Sequence, residues 1–191
     1  INLSTYLESM TWTPIGSYGA RNSYKDEFTG TFNGLGHTIS NLTLNGNFKY
    51  TDGSGGQAAG LFGNIAGGAN IAGVRLLNAS VTNTANYVDD WDNYAAQTAA
   101  LVGTARAKYD SNNNDAFVAA PTIHNNIVTG STIQATYTGE NVGAIVGQAE
   151  STTISGNSVT NTTVSSANGY GVGGIAGYIY SGDDFQSTVS D

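Results

Sequence analysis

The chain of 191 residues has no cysteine, very little proline and few charges. The absence of cysteine excludes disulfides, zinc–thiolate sites and cysteine nucleophiles. Proline occurs only twice, which argues against a collagen-like chain or a proline-rich linker. No run of about 18 apolar residues appears, so we expect no membrane insertion in this segment.

Charged residues make up only 10% of the chain, against about 25% in a typical soluble domain. The chain has six Lys and Arg residues and 14 Asp and Glu residues, which gives a formal net charge of −8. This balance offers no basic footprint for phosphates, so a nucleic-acid partner is not expected. Surface polarity must come from Asn, Thr, Ser and the 26 Gly residues. Together these features favour an extracellular or cell-surface location.

The chain begins at Ile1 without a methionine or a signal-peptide pattern, so we expect a mature or excised segment. Four Asn residues lie in N-x-S/T acceptor motifs: Asn2, Asn41, Asn78 and Asn161. Such motifs arise by chance in a chain rich in Asn, Ser and Thr, and they matter only if the source glycosylates its proteins.

A first internal repeat combines a small residue, two mostly apolar residues and a glycine. Its four copies are Gly60-Leu61-Phe62-Gly63, Ala100-Leu101-Val102-Gly103, Ala144-Ile145-Val146-Gly147 and Gly174-Ile175-Ala176-Gly177. The final glycines are 40, 44 and 30 residues apart. We interpret the shortest spacing as the bare structural unit and the longer ones as units with loop insertions.

A second repeat lies between these tetrapeptides, with offsets of 0, 5, 7 and 10 residues in each copy. The copies are Ile71, Leu76, Asn78 and Val81; Ile123, Val128, Gly130 and Ile133; and Ile154, Val159, Asn161 and Val164. Ile39 and Leu44 are expected to begin a fourth copy. Asn recurs at one corner of the repeat, at Asn78 and Asn161. A side-chain amide ladder at this corner is one possible consequence of that recurrence.

These repeats predict an all-β fold rather than a helical one, because β-branched residues are frequent and no apolar stripe of 3.6-residue period persists. We expect three short strands in each coil of about 30 residues, with Gly and Asn in left-handed conformations at the corners. One coil cannot bury its own inward side chains, so stacked coils share a core. The predicted domain is a single β-solenoid over residues 1–191, which we expect to be part of a longer solenoid or uncapped at both ends.

Part of the sequence resembles the GLUG-repeat β-helices of bacterial and archaeal surface proteins, including filamentous-haemagglutinin-like adhesins. The resemblance rests on three blocks: Trp12-Thr13-Pro14-Ile15-Gly16, residues 28–42 (FTGTFNGLGHTISNL) and Gly60-Leu61-Phe62-Gly63. It implies a right-handed parallel β-helix with loop insertions. It implies no catalytic residue, since such regions act as stalks and display surfaces.

Two insertions, residues 45–58 and 84–97, follow the same position of the repeat and should lie side by side along one edge. The first contains Phe48, Tyr50 and Asp52, and Tyr137 and Glu140 lie in the shorter equivalent loop. The second holds the candidate ligand-binding residues Tyr87, Asp89, Asp90, Trp91, Asp92 and Tyr94. Aromatic faces beside carboxylates suit a sugar or a protein partner. The alternative is a self-packed loop that covers the edge of the solenoid.

A third insertion, roughly residues 106–120, leaves from a different corner and contains the candidate calcium ligands Asp110, Asn112 and Asn114. Oxygen ligands at alternate positions are typical of calcium loops. The segment is not an EF-hand, because Asp115 stands where that loop needs glycine. A solvated Asn/Asp turn is the simpler interpretation, and no other cofactor is expected.

The remaining polar residues give little support for catalysis. His37 and His124 share no motif, so they predict neither a zinc site nor a catalytic triad and are interpreted as structural. Glycoside cleavage needs two facing carboxylates, whereas the acidic residues here fall mainly in predicted loops. We therefore predict a protein that is not an enzyme.

Three functional hypotheses follow. The leading one is a structural or adhesive module that displays loops to a glycan or protein of a host or neighbouring cell. The second is a filament or sheath subunit that self-associates end to end, since neither terminus reads as a polar cap. The third is a carbohydrate-active β-helix enzyme. An ice-binding solenoid is disfavoured because the Thr residues lack strict periodicity in the sequence.

Overall fold

A computed structural model describes residues 1–6, 12–16, 26–48, 58–85, 97–110, 116–138, 141–182 and 185–191. Within these ranges the regular structure is β-strand throughout, with no α-helix. No helix long and apolar enough to cross a membrane is found in the same ranges.

The described residues form 22 short β-strands. In chain order they are β1 (Thr31–Asn33), β2 (Thr38–Ser40), β3 (Thr43–Gly46), β4 (Phe62–Ala66), β5 (Asn70–Ala72), β6 (Arg75–Leu77), β7 (Ser80–Asn83), β8 (Thr98–Ala99), β9 (Val102–Arg106), β10 (Lys108–Asp110), β11 (Ala116–Ala119), β12 (Thr122–His124), β13 (Ile127–Thr129), β14 (Thr132–Thr138), β15 (Asn141–Gly143), β16 (Val146–Glu150), β17 (Thr153–Ser155), β18 (Ser158–Thr160), β19 (Thr163–Asn168), β20 (Gly171–Gly173), β21 (Ala176–Tyr180) and β22 (Thr188–Ser190).

Five parallel sheets run along the solenoid, and successive strands of the chain enter these sheets in a fixed order. The exception is an antiparallel hairpin, β10–β11. In the order in which one turn visits them, the sheets are sheet I (β4-β9-β16-β21), sheet II (β1-β5-β12-β17-β22), sheet III (β2-β6-β13-β18), sheet IV (β3-β7-β14-β19) and sheet V (β8-β15-β20). This is a parallel β-helix, as predicted. The right-handed sense implied by the family resemblance agrees with the general rule for parallel crossovers.

The second sequence repeat is confirmed by the strand register. Ile71 pairs with Ile123, and Ile123 pairs with Ile154, in sheet II. The positions at offset 5 pair in sheet III and those at offset 10 pair in sheet IV. Side chains at these three offsets point inward and stack, so the core is continuous from turn to turn.

Two details of the predicted coil are wrong. A full turn contains five short strands rather than the predicted three. The sequence pattern did not reveal all of the two-residue corners that separate these strands. The fourth copy begins at Phe32, which pairs with Ile71, while Ile39 pairs with Leu76. Two additional residues between β1 and β2, at the Leu35–Gly36 corner, shift the first copy out of phase with the others.

Left-handed backbone marks two corners of every turn, as the Asn and Gly pattern predicted. The corner between sheets II and III is occupied by Leu35 and Gly36, Gly73, Asn125 and Gly156, all with positive φ. The corner between sheets III and IV is occupied by Asn41, Asn78, Gly130 and Asn161. Only Gly adopts this conformation without strain, and Asn tolerates it better than most residues.

An amide ladder exists, but it lies at the corner between sheets II and III, not at the predicted corner of Asn78 and Asn161 between sheets III and IV. Asn126 is fully buried, and its Oδ1 accepts a hydrogen bond of 2.9 Å from the Val74 N–H. Its Nδ2 donates to the Ile71 carbonyl and to Asn157 Oδ1, each at 3.0 Å. In the next turn, Asn157 Nδ2 donates to the Ile123 carbonyl at 2.8 Å. The ladder therefore satisfies backbone groups at corners, where sheet pairing is interrupted.

The interior between the sheets is filled mainly by aliphatic side chains. Leu42, Leu44, Ile65, Ile71, Leu76, Leu101, Ile123, Ile133, Ile145 and Ile154 are fully buried or nearly so. Aromatic rings appear in the first described turns, where Phe62 contacts Phe28 and Phe32 at centroid distances of 5.2 and 5.3 Å. The residues that carry the family resemblance thus form the beginning of this core.

The amide ladder yields a stability prediction. Replacing Asn126 with Ala leaves the buried Val74 N–H without its acceptor, which should cost about 1–3 kcal/mol of unfolding free energy. The exposed Ser158 in the adjacent strand provides the control, since Ser158→Ala should change stability by less than about 0.5 kcal/mol. Urea unfolding followed by circular dichroism measures both. Equal midpoints for the two variants would show that the ladder does not stabilise the fold.

Candidate functional site

The glycines of the first repeat occupy equivalent positions where sheet V meets sheet I. The residues just before them pair in register along sheet I: Phe62, Val102, Val146 and Ala176. A Cβ on Gly147 would lie 2.7 Å from the Gly103 carbonyl oxygen and 2.8 Å from the Thr98 nitrogen. A Cβ on Gly103 would lie 2.6 Å from Ala58 Cβ. Glycine is required here because backbone from the neighbouring sheet approaches too closely for a side chain.

The two insertions at the predicted display edge leave from neighbouring rungs of sheet IV. β3 and β7 pair up to their last residues, Gly46 and Asn83, and the Thr84 N–H donates to the Gly46 carbonyl at 2.8 Å. Adjacent parallel strands are about 4.8 Å apart, so the two insertions start close together. They share a corner, as expected, although β3 continues one residue beyond Asn45, where the first insertion was expected to start.

The base of the second insertion is fixed by buried polar contacts. Asn83 Oδ1 accepts a hydrogen bond of 3.0 Å from the Ala85 N–H. At the other end, Gln97 Oε1 accepts from the Asn141 N–H at 3.2 Å, and Gln97 is buried. Buried polar contacts therefore hold both ends of this insertion.

The candidate ligand-binding residues Tyr87, Asp89, Asp90, Trp91, Asp92 and Tyr94 all lie outside the described residues, as do Tyr50, Asp52 and Glu140. Tyr137 belongs to β14, but its side chain is not described. Phe48, which was grouped with the loop aromatics, instead packs partly buried against the core. The ligand-binding assignment at this edge remains a prediction.

The third insertion is a β-hairpin that leaves between sheets I and II, at a corner different from the first two. Asp110, the first candidate calcium ligand, ends β10 and pairs with Ala116 of β11. The other two candidates, Asn112 and Asn114, lie outside the described residues. The calcium site therefore also remains a prediction.

The hairpin is held against the last described turn by an aromatic cluster. The Phe117 ring stacks on Phe185 at a centroid distance of 5.1 Å and an interplanar angle of 2°, and Tyr109 meets Phe117 edge-on. The Tyr109 hydroxyl lies 3.3 Å from Ser151 Oγ, and Ser151 Oγ donates to the Phe185 carbonyl at 2.8 Å. The hairpin thus braces the outside of several turns. Sequence reasoning missed this cluster because its members are far apart in the chain.

A second polar cluster lies at the end of sheet I, near the base of the hairpin. Arg106 forms an ion pair with Glu27 and is aligned in register with Glu150 and Tyr180. The Tyr180 hydroxyl donates to Glu150 Oε2 at 2.7 Å. Glu150 lies on a strand and is an exception to the expectation that acidic residues fall mainly in loops. Its partners identify it as part of a structural network between turns.

The two histidines contact backbone or neighbouring amides. His124 lies on β12, with Nε2 3.0 Å from Asn70 Oδ1 and Nδ1 3.1 Å from Asn125 Nδ2. The His37 backbone donates to the Gly34 carbonyl at the corner before β2. Within the described ranges, no three His, Asp or Glu residues cluster closely enough to hold a metal ion.

The glycine corner yields a matched pair of substitutions within one repeat copy. In Gly177→Ala, the new Cβ would lie 2.5 Å from the Val142 nitrogen and 2.7 Å from the Gly147 oxygen. Such overpacking should cost about 1–3 kcal/mol, or about 2–4 °C of Tm per kcal/mol. Gly174→Ala is the control, because nothing lies within 4 Å of its Cβ. Thermal unfolding followed by circular dichroism compares them. Equal Tm values for the Gly177→Ala and Gly174→Ala proteins would refute the close-approach explanation.

Comparison with known proteins identifies a partial relative. The chain is 32% identical over 109 residues to Halomucin of Haloquadratum walsbyi. The match covers 56% of this chain but only 1% of Halomucin. No protein-family model matches the chain, so the GLUG resemblance remains a prediction. No solved structure matches it either.

Proposed function

We propose that this chain is a structural module of a secreted or cell-surface protein that displays loops along one edge of a rigid β-helix. The observation that carries the proposal is the register at that edge. Insertions of different length leave from sheet IV at adjacent rungs, while Leu44, Val81 and Ile133 remain aligned beneath them. The core is therefore insensitive to what each loop contains, which suits a scaffold whose loops vary.

The extracellular location is part of the same proposal. Two features support it: the low charge with abundant Asn, Ser, Thr and Gly, and the partial similarity to Halomucin. The name of that relative designates a mucin, a class of surface-coating protein. Because this chain spans about 1% of Halomucin, we carry over the location only.

The finer role that we propose is adhesion through the second insertion. Its residues Tyr87, Asp89, Asp90, Trp91, Asp92 and Tyr94 combine aromatic faces with carboxylates, which suits a glycan or protein ligand. The proposed role requires no catalytic step. The carbohydrate-active enzyme remains an untested alternative.

Loop replacement tests the display function. Replacing residues 86–96 with a two-residue linker should leave the fold intact, because Asn83 and Gln97 close the base. Loop-closure entropy predicts a change of no more than about 1 kcal/mol in unfolding free energy. Binding to glycan arrays or to intact neighbouring cells should be lost. The matched control shortens the segment between β10 and β11, residues 111–115, and should retain binding. Retained binding by the 86–96 variant would place the ligand site elsewhere.

The filament subunit is a second candidate, and a feature of the last described turn favours it. Val172, Tyr178 and Val189 are each about half exposed on β20, β21 and β22. No further strand pairs with the outer edges of these three strands in the described part of the chain. An apolar edge whose strands have no further strand partner is suited to pairing with another β-edge.

Negative-stain electron microscopy over a concentration series separates the two candidates. For a display module, we expect short rods of uniform length at every concentration. Fibres that lengthen as concentration rises would instead support end-to-end assembly. Val172→Lys with Val189→Lys should then abolish the fibres, because buried charge would oppose pairing at that edge. Thr82→Lys, on the outer face of sheet IV, serves as the control.

A further inference from the structure

Three of the four N-x-S/T motifs in the sequence occupy one corner of the β-helix. Asn41, Asn78 and Asn161 each stand between sheet III and sheet IV, with φ of 59°, 55° and 48°. Gly130 takes the same position in the remaining turn, with φ of 62°. The shared position of these three motifs therefore needs a structural explanation.

The fold explains why the motif recurs there. The first residue must tolerate left-handed backbone, which favours Asn or Gly. The second side chain points inward: Leu42 and Ala79 are buried, and Thr162 Oγ1 donates to the Thr160 carbonyl. The third residue opens a strand of sheet IV with its side chain outward. Thr43, Ser80 and Thr163 are accordingly exposed. Both functional groups of the motif, the amide and the hydroxyl, therefore reach the outer surface.

The three asparagines differ in how accessible their amides are. Asn41 is only partly exposed, and its Nδ2 donates a hydrogen bond of 2.8 Å to Asn2 Oδ1. Asn78 and Asn161 are exposed. The Asn78 side chain leans over Gly130, where a Cβ would lie 2.7 Å from Asn78 Oδ1. Two of the three amides are thus presented to solvent at the corner.

The spacing of these two positions suits a bulky substituent. Asn78 and Asn161 lie two turns apart, or about 10 Å at roughly 4.8 Å for each strand spacing. The intervening rung carries Gly130, which adds no side chain of its own beside the Asn78 amide. A group attached to either Asn would therefore meet no side chain from residue 130.

We propose that Asn78 and Asn161 are N-glycosylation sites. The Asn Nδ2 would bond to the anomeric carbon of a sugar delivered by a lipid-linked glycosyl phosphate. The bond from that carbon to the phosphate oxygen breaks, the phosphate leaves with the electron pair, and a base of the transferase takes the amide proton. Ser80 and Thr163 serve as the recognition hydroxyls and stay unmodified. The inference rests on the proposed extracellular location, because this modification occurs on exported proteins.

Peptide mass spectrometry of the protein isolated from the cells that produce it tests the inference. We expect glycan mass on the peptides that contain Asn78 and Asn161, and none on the peptide that contains Asn41. Ser80→Ala and Thr163→Ala should each abolish glycan at their own motif without replacing the left-handed Asn. Ser80→Thr is the matched control and should retain it. Unmodified Asn78 and Asn161 in the native protein would overturn the inference.

A separate measurement distinguishes this failure from failure of the proposed function. Protease treatment of intact cells reports whether the chain is exposed at the surface. A surface-exposed chain with bare Asn78 and Asn161 would overturn the glycosylation sites and leave the display function standing. An intracellular chain with bare asparagines would overturn both. Glycan at both sites on a surface-exposed chain is the expected result.

Discussion

The fold depends on one constraint: no turn of this chain can bury its own inward side chains or satisfy its own backbone. Each turn obtains both from its neighbours, through parallel pairing in five sheets and through stacking of inward residues such as Ile71, Ile123 and Ile154. Corners interrupt the sheet pairing, and there the polar side chains of Asn126 and Asn157 supply the missing hydrogen bonds. Register is therefore maintained at strands by apolar packing and at corners by buried amides.

This constraint explains how much of the fold could be predicted from the sequence. Inward positions repeat at fixed offsets because stacked turns must match, so the register of sheets II, III and IV could be predicted for the three copies that begin at Ile71, Ile123 and Ile154. The number of strands could not be predicted, since strands of two or three residues are too short to show periodicity. The register of the first copy was also predicted wrongly, because its corner at Leu35 and Gly36 is two residues longer than the others. A longer corner changes the spacing between strands but not the strands themselves, so the sequence pattern did not reveal it.

The candidate site was less predictable. The common origin of the insertions after β3 and β7 followed from the repeat, because equivalent positions must stack. The aromatic cluster of Tyr109, Phe117 and Phe185 could not be found, since its parts come from a hairpin and from the last turn, 76 residues apart at the extremes. The burial of Asn126 could not be predicted either, because a polar residue between two apolar strands is normally interpreted as part of an exposed loop.

The corner between sheets III and IV shows how a structural requirement can create a functional one. Left-handed backbone selects Asn, the inward position accepts Leu, Ala or Thr, and the outward position favours a hydroxyl, so the fold itself generates the acceptor motif. Its use then depends on access rather than on sequence. The Asn41 side-chain amide is hydrogen-bonded to Asn2, whereas Asn78 and Asn161 are exposed to solvent. Substituting a larger residue for Gly130 would therefore reduce modification at Asn78 through crowding, although the motif itself would be unchanged.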